Sequence, residues 1–129
     1  MEKIDRELLI KDLCARLPYG VMCVFSEPPY SEITEPLRTG GLRAFIEDKW
    51  KVKPYLRPMS SMTEEECIAL SKLIPYETDA WKYIKTPIPL YIANIEQFDF
   101  FHRHHLDWRG LISKGLAIAV TEENNPYKE

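Results

Sequence analysis

The sequence predicts a single α+β domain over residues 1–129. It should have an N-terminal helix, a small antiparallel sheet between residues 19 and 56, and a C-terminal helical half. Three observations carry this. Leu9, Leu13 and Leu17 recur at helical spacing near the start of the chain. A short run of β-formers, Val21-Met22-Cys23-Val24-Phe25, follows a break at Pro18 and Gly20. Capping signatures at Thr63 and, more weakly, at Asn94 then open two further helical stretches.

Taken in order, the first helix sets Ile4, Leu8, Leu9, Leu13 and Leu17 against a side of Lys3, Asp5, Glu7, Lys11 and Asp12. Pro18 cannot continue the hydrogen bonding, so the helix stops near Leu17. Residues 21–25 read as a buried strand. Pro28, Pro29, Pro36 and Gly40-Gly41 mark residues 27–41 as a connection, a long hairpin arm or an exposed loop. The imperfect alternation of Leu42, Ala44, Ile46, Trp50 and Val52 suggests one or two strands turning at Glu47-Asp48. Paired with 21–25, these make the small sheet, and one form it could take is a half-open, SH3-like barrel.

Thr63 and Glu66 have the spacing of a reciprocal capping box, with Met62 and Cys67 placed as a hydrophobic staple. That helix should run from about Glu64 to Leu73, stopping before Pro75. Asn94 and Gln97 open a helix expected to reach about His105, with Ile95, Phe98, Phe101 and His105 on its apolar face. Leu116, Ile118 and Val120 alternate as a closing strand, and residues 124–129 read as a polar tail that frays.

Composition narrows the function classes. With 45% hydrophobic and 29% charged residues the chain has an ordinary folding balance. A net charge of −3 gives no global attraction to nucleic acid or an anionic membrane. No apolar run resembles a signal peptide or approaches a membrane span of ~20 residues. Cys14, Cys23 and Cys67 are an odd number without a CxxC pair, so reduced thiols in a cytoplasmic protein are the simplest expectation. Cys14 and Cys67 fall on expected core faces of helices and Cys23 within the buried strand, which argues for packing rather than nucleophilic work.

Three stretches together carry a resemblance: Asp12-Leu13-Cys14-Ala15-Arg16-Leu17-Pro18-Tyr19-Gly20-Val21, the run from Val52 through Pro54-Tyr55-Leu56-Arg57-Pro58-Met59 to Glu66, and His104-His105-Leu106-Asp107-Trp108-Arg109-Gly110-Leu111-Ile112. In this order they resemble a family of small uncharacterised proteins of anaerobic gut bacteria and their prophages. Where that family tends to read HHFDYRGLI, this chain has Leu106 and Trp108, which leave a packing role intact. The resemblance implies a phage or mobile-element origin. It transfers no activity and no catalytic residue.

Three constellations could carry chemistry. Tyr55, Arg57, Trp108 and Arg109 combine rigid aromatics with guanidinium groups, the composition of protein-docking hot spots, in a chain with three tryptophans and seven tyrosines. Prolines at 54, 58, 75, 87 and 89 would hold several aromatics, Trp81 among them, in extended segments. Lys49, Trp50, Lys51 and Lys53 interleave cations with an aromatic as single-strand binders do, although a solvated strand face, such as an edge strand uses against pairing, would give the same pattern. His102 and His105, at i and i+3, could hold a metal with Asp107, Asp99 or a distant cysteine as third ligand. The competing reading lets His105 continue the apolar face and cap the helix end.

No glycine-rich phosphate loop, GxSxG elbow or HExxH helix occurs, and no catalytic residue is assigned. The expectation is therefore a non-enzymatic accessory protein without cofactor, binding another protein or itself. The alternative is a nucleic-acid-binding accessory protein, and a metal-dependent hydrolase stands third.

Overall fold

The computed structural model describes residues 1–26, 32–71 and 95–128. The described elements, in chain order, begin with α1 (Lys3–Arg16), β1 (Met22–Ser26) and β2 (Ile33–Pro36). After them come α2 (Thr39–Ile46), β3 (Lys51–Leu56), α3 (Glu64–Ser71), α4 (Ile95–Arg103) and β4 (Ile118–Ala119). The class is α+β, led by a helix.

The four strands lie in the order β2-β1-β3-β4. β1 pairs antiparallel with β3, as expected, and also with β2, which lies within the stretch read from the sequence as a connection. β4 joins β3 parallel through Tyr55↔Ile118 and Leu56↔Ala119, which makes the whole sheet mixed. Tyr55 and Leu56 of β3 therefore lie inside the sheet, whereas residues 51–54 pair with β1 alone among the described residues and keep an open edge. Just past β3, Arg57 and Leu106 form an isolated parallel bridge that ties the sheet to the exit of α4.

Two sites of packing organise the chain. Alternate residues Cys23 and Phe25 of β1 and Val52 and Leu56 of β3 face Leu9 and Leu13 of α1 and Leu42 and Phe45 of α2. A second cluster gathers Met59, Met62, Cys67 and Leu70 with Phe100, Phe101 and Leu106, and Phe98 and Trp108 pack against it. The capping box is formed as its spacing requires. The Glu66 backbone N–H donates to Thr63 Oγ1 at 3.1 Å, and the Thr63 N–H donates to Glu66 Oε1 at 2.9 Å. Such a cap contributes about 1 kcal/mol.

Several expectations are corrected. Residues 39–46 are helix, not strand, because Leu42 and Phe45 at i and i+3 reach the core together. Gly41 lets α2 approach closely, since a Cβ there would stand 2.7 Å from Phe25 Cε1. The turn expected at Glu47-Asp48 is present, but it joins helix to strand, with Asp48 at φ 61°. On α1 the buried stripe is Leu9, Asp12, Leu13 and Arg16, so Asp12 is inside, while Ile4 and Cys14 are exposed. On α4 the buried residues are Gln97, Phe100, Phe101 and His102, one step round from the expected stripe, and Ile95 is 78% exposed.

α4 ends at Arg103, two residues short of expectation, in a Schellman arrangement. The Leu106 N–H donates to the Phe101 carbonyl at 2.8 Å and the His105 N–H to the His102 carbonyl at 3.2 Å. His105 itself takes the left-handed position, φ 60°, where glycine or asparagine is usual. The end expected to fray is anchored at Tyr127, whose hydroxyl accepts from Met22 N at 3.0 Å and donates to the Tyr55 carbonyl at 2.7 Å. The expected capping box at Asn94, the far end of the α3 prediction, Trp81 and the prolines at 75, 87 and 89 lie outside the described residues. Among the described residues no helix is long and apolar enough to cross a membrane.

Candidate functional site

The residues singled out in the sequence fall into three places, two of which are internal frameworks. The first is built on Arg57, at the end of β3. Its guanidinium takes both carboxylate oxygens of Glu66 at 2.6 and 2.7 Å and reaches the carbonyls of Ser61 and His104 at 3.1 and 3.4 Å. Its backbone accepts from Asp107 N at 2.9 Å and donates to the His105 carbonyl at 2.7 Å. One side chain thus fastens β3, the start of α3 and the exit of α4. The bidentate bond from Arg57, ahead of the Thr63 N–H, holds the Glu66 carboxyl down at about 2. His104 Nδ1 lies 3.3 Å from Glu66, yet burial drives its pKa below the ordinary value, and its ring packs on Phe100 at 4.3 Å between centroids.

The second framework centres on Asp12, wholly buried on α1. Oδ2 accepts from Arg16 Nε at 2.7 Å and Oδ1 from Arg109 Nε at 3.1 Å. Arg16, also wholly buried, donates from Nη2 to the Leu106 carbonyl at 2.7 Å. Arg109 lies over the Trp108 ring at 4.2 Å, Phe98 packs against the same indole at 4.6 Å, and Trp108 Nε1 donates to His102 Nε2 at 3.0 Å. Burial, then the Arg16 charge, lowers the His102 pKa to about 4, so this imidazole is neutral and its Nε2 lone pair is already taken.

This geometry decides the fate of two proposed constellations. Arg57, Trp108 and Arg109 are committed to bonds within the chain, and docking through them would first have to break those bonds. The metal set is not assembled. His102 faces Trp108, the His105 ring stacks on Tyr127, and Asp107 spends both oxygens on the backbone N–H groups of Leu111 at 2.8 Å and Ile112 at 3.0 Å. Among the described residues no group of three His, Cys, Asp or Glu side chains is placed to hold a metal ion. Cys23 offers no activated nucleophile either, because burial pushes its thiol up to about 12.

The third place is the outer face of the sheet. Alternation turns Met22, Val24 and Ser26 of β1 and Lys51, Lys53 and Tyr55 of β3 away from the helices, while Cys23, Phe25, Val52 and Leu56 turn toward them. Cross-strand pairing brings Val24 beside Lys53 and Thr34, and Tyr55 beside Ile118. Lys51 and Lys53 are exposed, and neither has an ion-pair partner among the described residues. Trp50 leaves this face and packs edge-on against Phe25 at 5.7 Å, and Lys49 pairs with Glu47 at 3.2 Å.

Sequence reasoning missed three residues. The Asp12–Arg16 pair was visible as i, i+4 charges on the stripe of Leu9 and Leu13, had burial rather than polarity been the guide. Tyr127 gave no local signal, because its partners lie 105 and 72 residues away in sequence. No family model, curated protein or solved structure matches the chain.

Proposed function

We propose that this chain is a non-enzymatic interaction protein that binds an acidic surface of another protein through the outer face of its sheet. The reading rests on one observation: two exposed lysines, 51 and 53, without an ion-pair partner among the described residues, stand beside half-buried Val24, Met22 and Tyr55 on the face that the core leaves unused. A lysine rim around an apolar centre favours a partner of opposite charge and steers its approach. Of the four residues first expected to dock, only Tyr55 lies on this face. The resemblance of three sequence stretches to proteins of gut anaerobes and prophages supports a role as an accessory protein of a mobile element. Three free cysteines agree with action in a reducing cytoplasm.

A second reading, binding of single-stranded nucleic acid, is favoured by the same sharing of a face by Lys51, Lys53 and Tyr55. Against it, Trp50 is spent in the core, Lys49 is paired with Glu47, and the chain is acidic overall. The test is the Lys51→Glu/Lys53→Glu chain beside the unaltered one in affinity capture from the host and in titration with short oligonucleotides. A partner protein captured by the unaltered chain and lost on charge reversal is the expected result. Salt-sensitive oligonucleotide binding tighter than micromolar, without such a partner, would favour the second reading.

A further inference from the structure

Tyr127 sits in a slot whose walls match a phenol group by group. The paired register of β1 and β3 ends at Cys23↔Pro54, and the next rung is made through the Tyr127 hydroxyl, which accepts from Met22 N at 3.0 Å and donates to the Tyr55 carbonyl at 2.7 Å. A phenol hydroxyl is one donor and one acceptor, so both backbone groups are satisfied by a single atom. The ring lies flat on the His105 imidazole, with centroids 4.0 Å apart and planes 9° from parallel.

His105 is itself held in a conformation that a residue with a Cβ rarely adopts. Its φ is 60°, and its buried Nδ1 has no hydrogen-bond partner among the described residues. Such a backbone persists only where its surroundings impose it, and here it delivers the ring to the Tyr127 face. The imidazole is neutral, since burial and the Arg16 charge lower its pKa to about 4. The residues leading to Tyr127 contribute little: Thr121, Glu122, Glu123 and Asn124 are exposed and held by a tight turn between Thr121 and Asn124. Asn125 Oδ1 accepts from the Tyr127 N–H at 3.0 Å and sets the angle of entry.

We propose that the slot bounded by Met22, Tyr55 and His105 is a tyrosine-recognition site, filled within the chain by Tyr127. A tyrosine-bearing segment of another protein takes it by displacing that residue. The slot uses the backbone of Met22 and Tyr55, whose side chains lie on the outer sheet face, and uses none of the lysines of that face. Emptying the slot leaves a backbone donor and acceptor in a partly buried gap, so the occupant must return both bonds, which a benzyl group cannot do. Exposure of residues 121–124 keeps the exchange local.

The test uses the full chain carrying Tyr127→Ala, titrated with p-cresol and with toluene while the Met22 amide and His105 ring signals are followed by NMR. The site predicts saturable p-cresol binding at least about tenfold tighter than toluene, the step expected of a satisfied against an unsatisfied buried pair. Equal affinity, or no p-cresol binding, overturns the proposal. Because Tyr127→Ala also removes an anchor of the fold, a second measurement on the unaltered chain decides independently. A pentapeptide with the sequence of residues 124–128 is added above the millimolar effective concentration of a short tether. The peptide should move the Tyr127 ring signals to their free positions, and its phenylalanine counterpart should not. No displacement by the tyrosine peptide, or equal displacement by both, overturns it. Lys51→Glu/Lys53→Glu should leave both titrations unchanged, which separates this site from the docking face.

Discussion

Replacing Asp12 with asparagine removes the one carboxylate that serves two guanidinium groups. Asp12 and Arg16 are wholly buried at 2.7 Å, and Arg109 reaches the other oxygen at 3.1 Å. Asparagine keeps the shape but not the charge, so Arg16 is left as a buried cation facing an amide. Breaking a buried pair from one side costs about 3–5 kcal/mol. A domain of this size holds on the order of 5–15 kcal/mol in all. Each kcal/mol moves the melting temperature by roughly 3–5 °C at this length, which puts the expected drop at about 10–20 °C. The assay is thermal and urea unfolding of Asp12→Asn, Arg16→Met and the double variant. The double variant should recover part of the loss, because neither buried charge is then stranded. If Asp12→Asn melts within about 1 kcal/mol of the unaltered chain, or if the two losses simply add, the pair is not the internal anchor described above.

Acid should weaken the fold in two stages. His102 and His105 are held near 4 by burial, so the folded chain refuses protons that the unfolded chain accepts. Their contribution is complete above about 6.5 and falls as pH drops toward 4, by about 1–2 kcal/mol each after allowance for solvent screening. Glu66, held near 2 by Arg57, contributes above about 4.5 and loses its share as pH falls further. Flat stability between pH 7 and 5 would contradict the histidine placement. Gly41→Ala should destabilise by about 1–3 kcal/mol, because its Cβ meets a Phe25 ring already pinned by Trp50, whereas Gly40→Ala enters open space and should stabilise by up to about 1 kcal/mol. Thiol titration of the native chain should find Cys14 reacting at once, and Cys23 and Cys67 only on unfolding.

What could be read from the sequence was local. The capping box at Thr63 and Glu66 and the strand at residues 22–26 depend on neighbours a few residues apart, and both formed as their spacing required. Residues 42–52 deceived because Leu42, Ala44 and Ile46 fit a period of two, while Leu42 and Phe45 fit a helix equally well. Only the core on the far side of Phe25 decides between them. The face of α4 was misjudged for a related reason. Phe98, Phe100 and Phe101 offer two overlapping aromatic stripes, and the second cluster chose the one through Phe100. The candidate site was legible only in part. Lysines 51 and 53 and Tyr55 share a face by simple alternation, but nothing near Arg57 or Arg109 in sequence announces Glu66 or Asp12 as a partner. Those pairings join residues 9 and 97 positions apart, and tertiary structure alone brings them together.

The face of the molecule that meets a partner can be located directly. A photo-crosslinking amino acid placed at Lys53, on the outer sheet face, can be compared with the same group at Ser113, an exposed position outside the sheet. One acidic protein should be captured from the host at Lys53 and not at Ser113. The purified pair should bind, and Lys51→Glu should abolish both. Equal capture at the two positions, or binding by the purified partner that Lys51→Glu leaves intact, would contradict the assignment of this face.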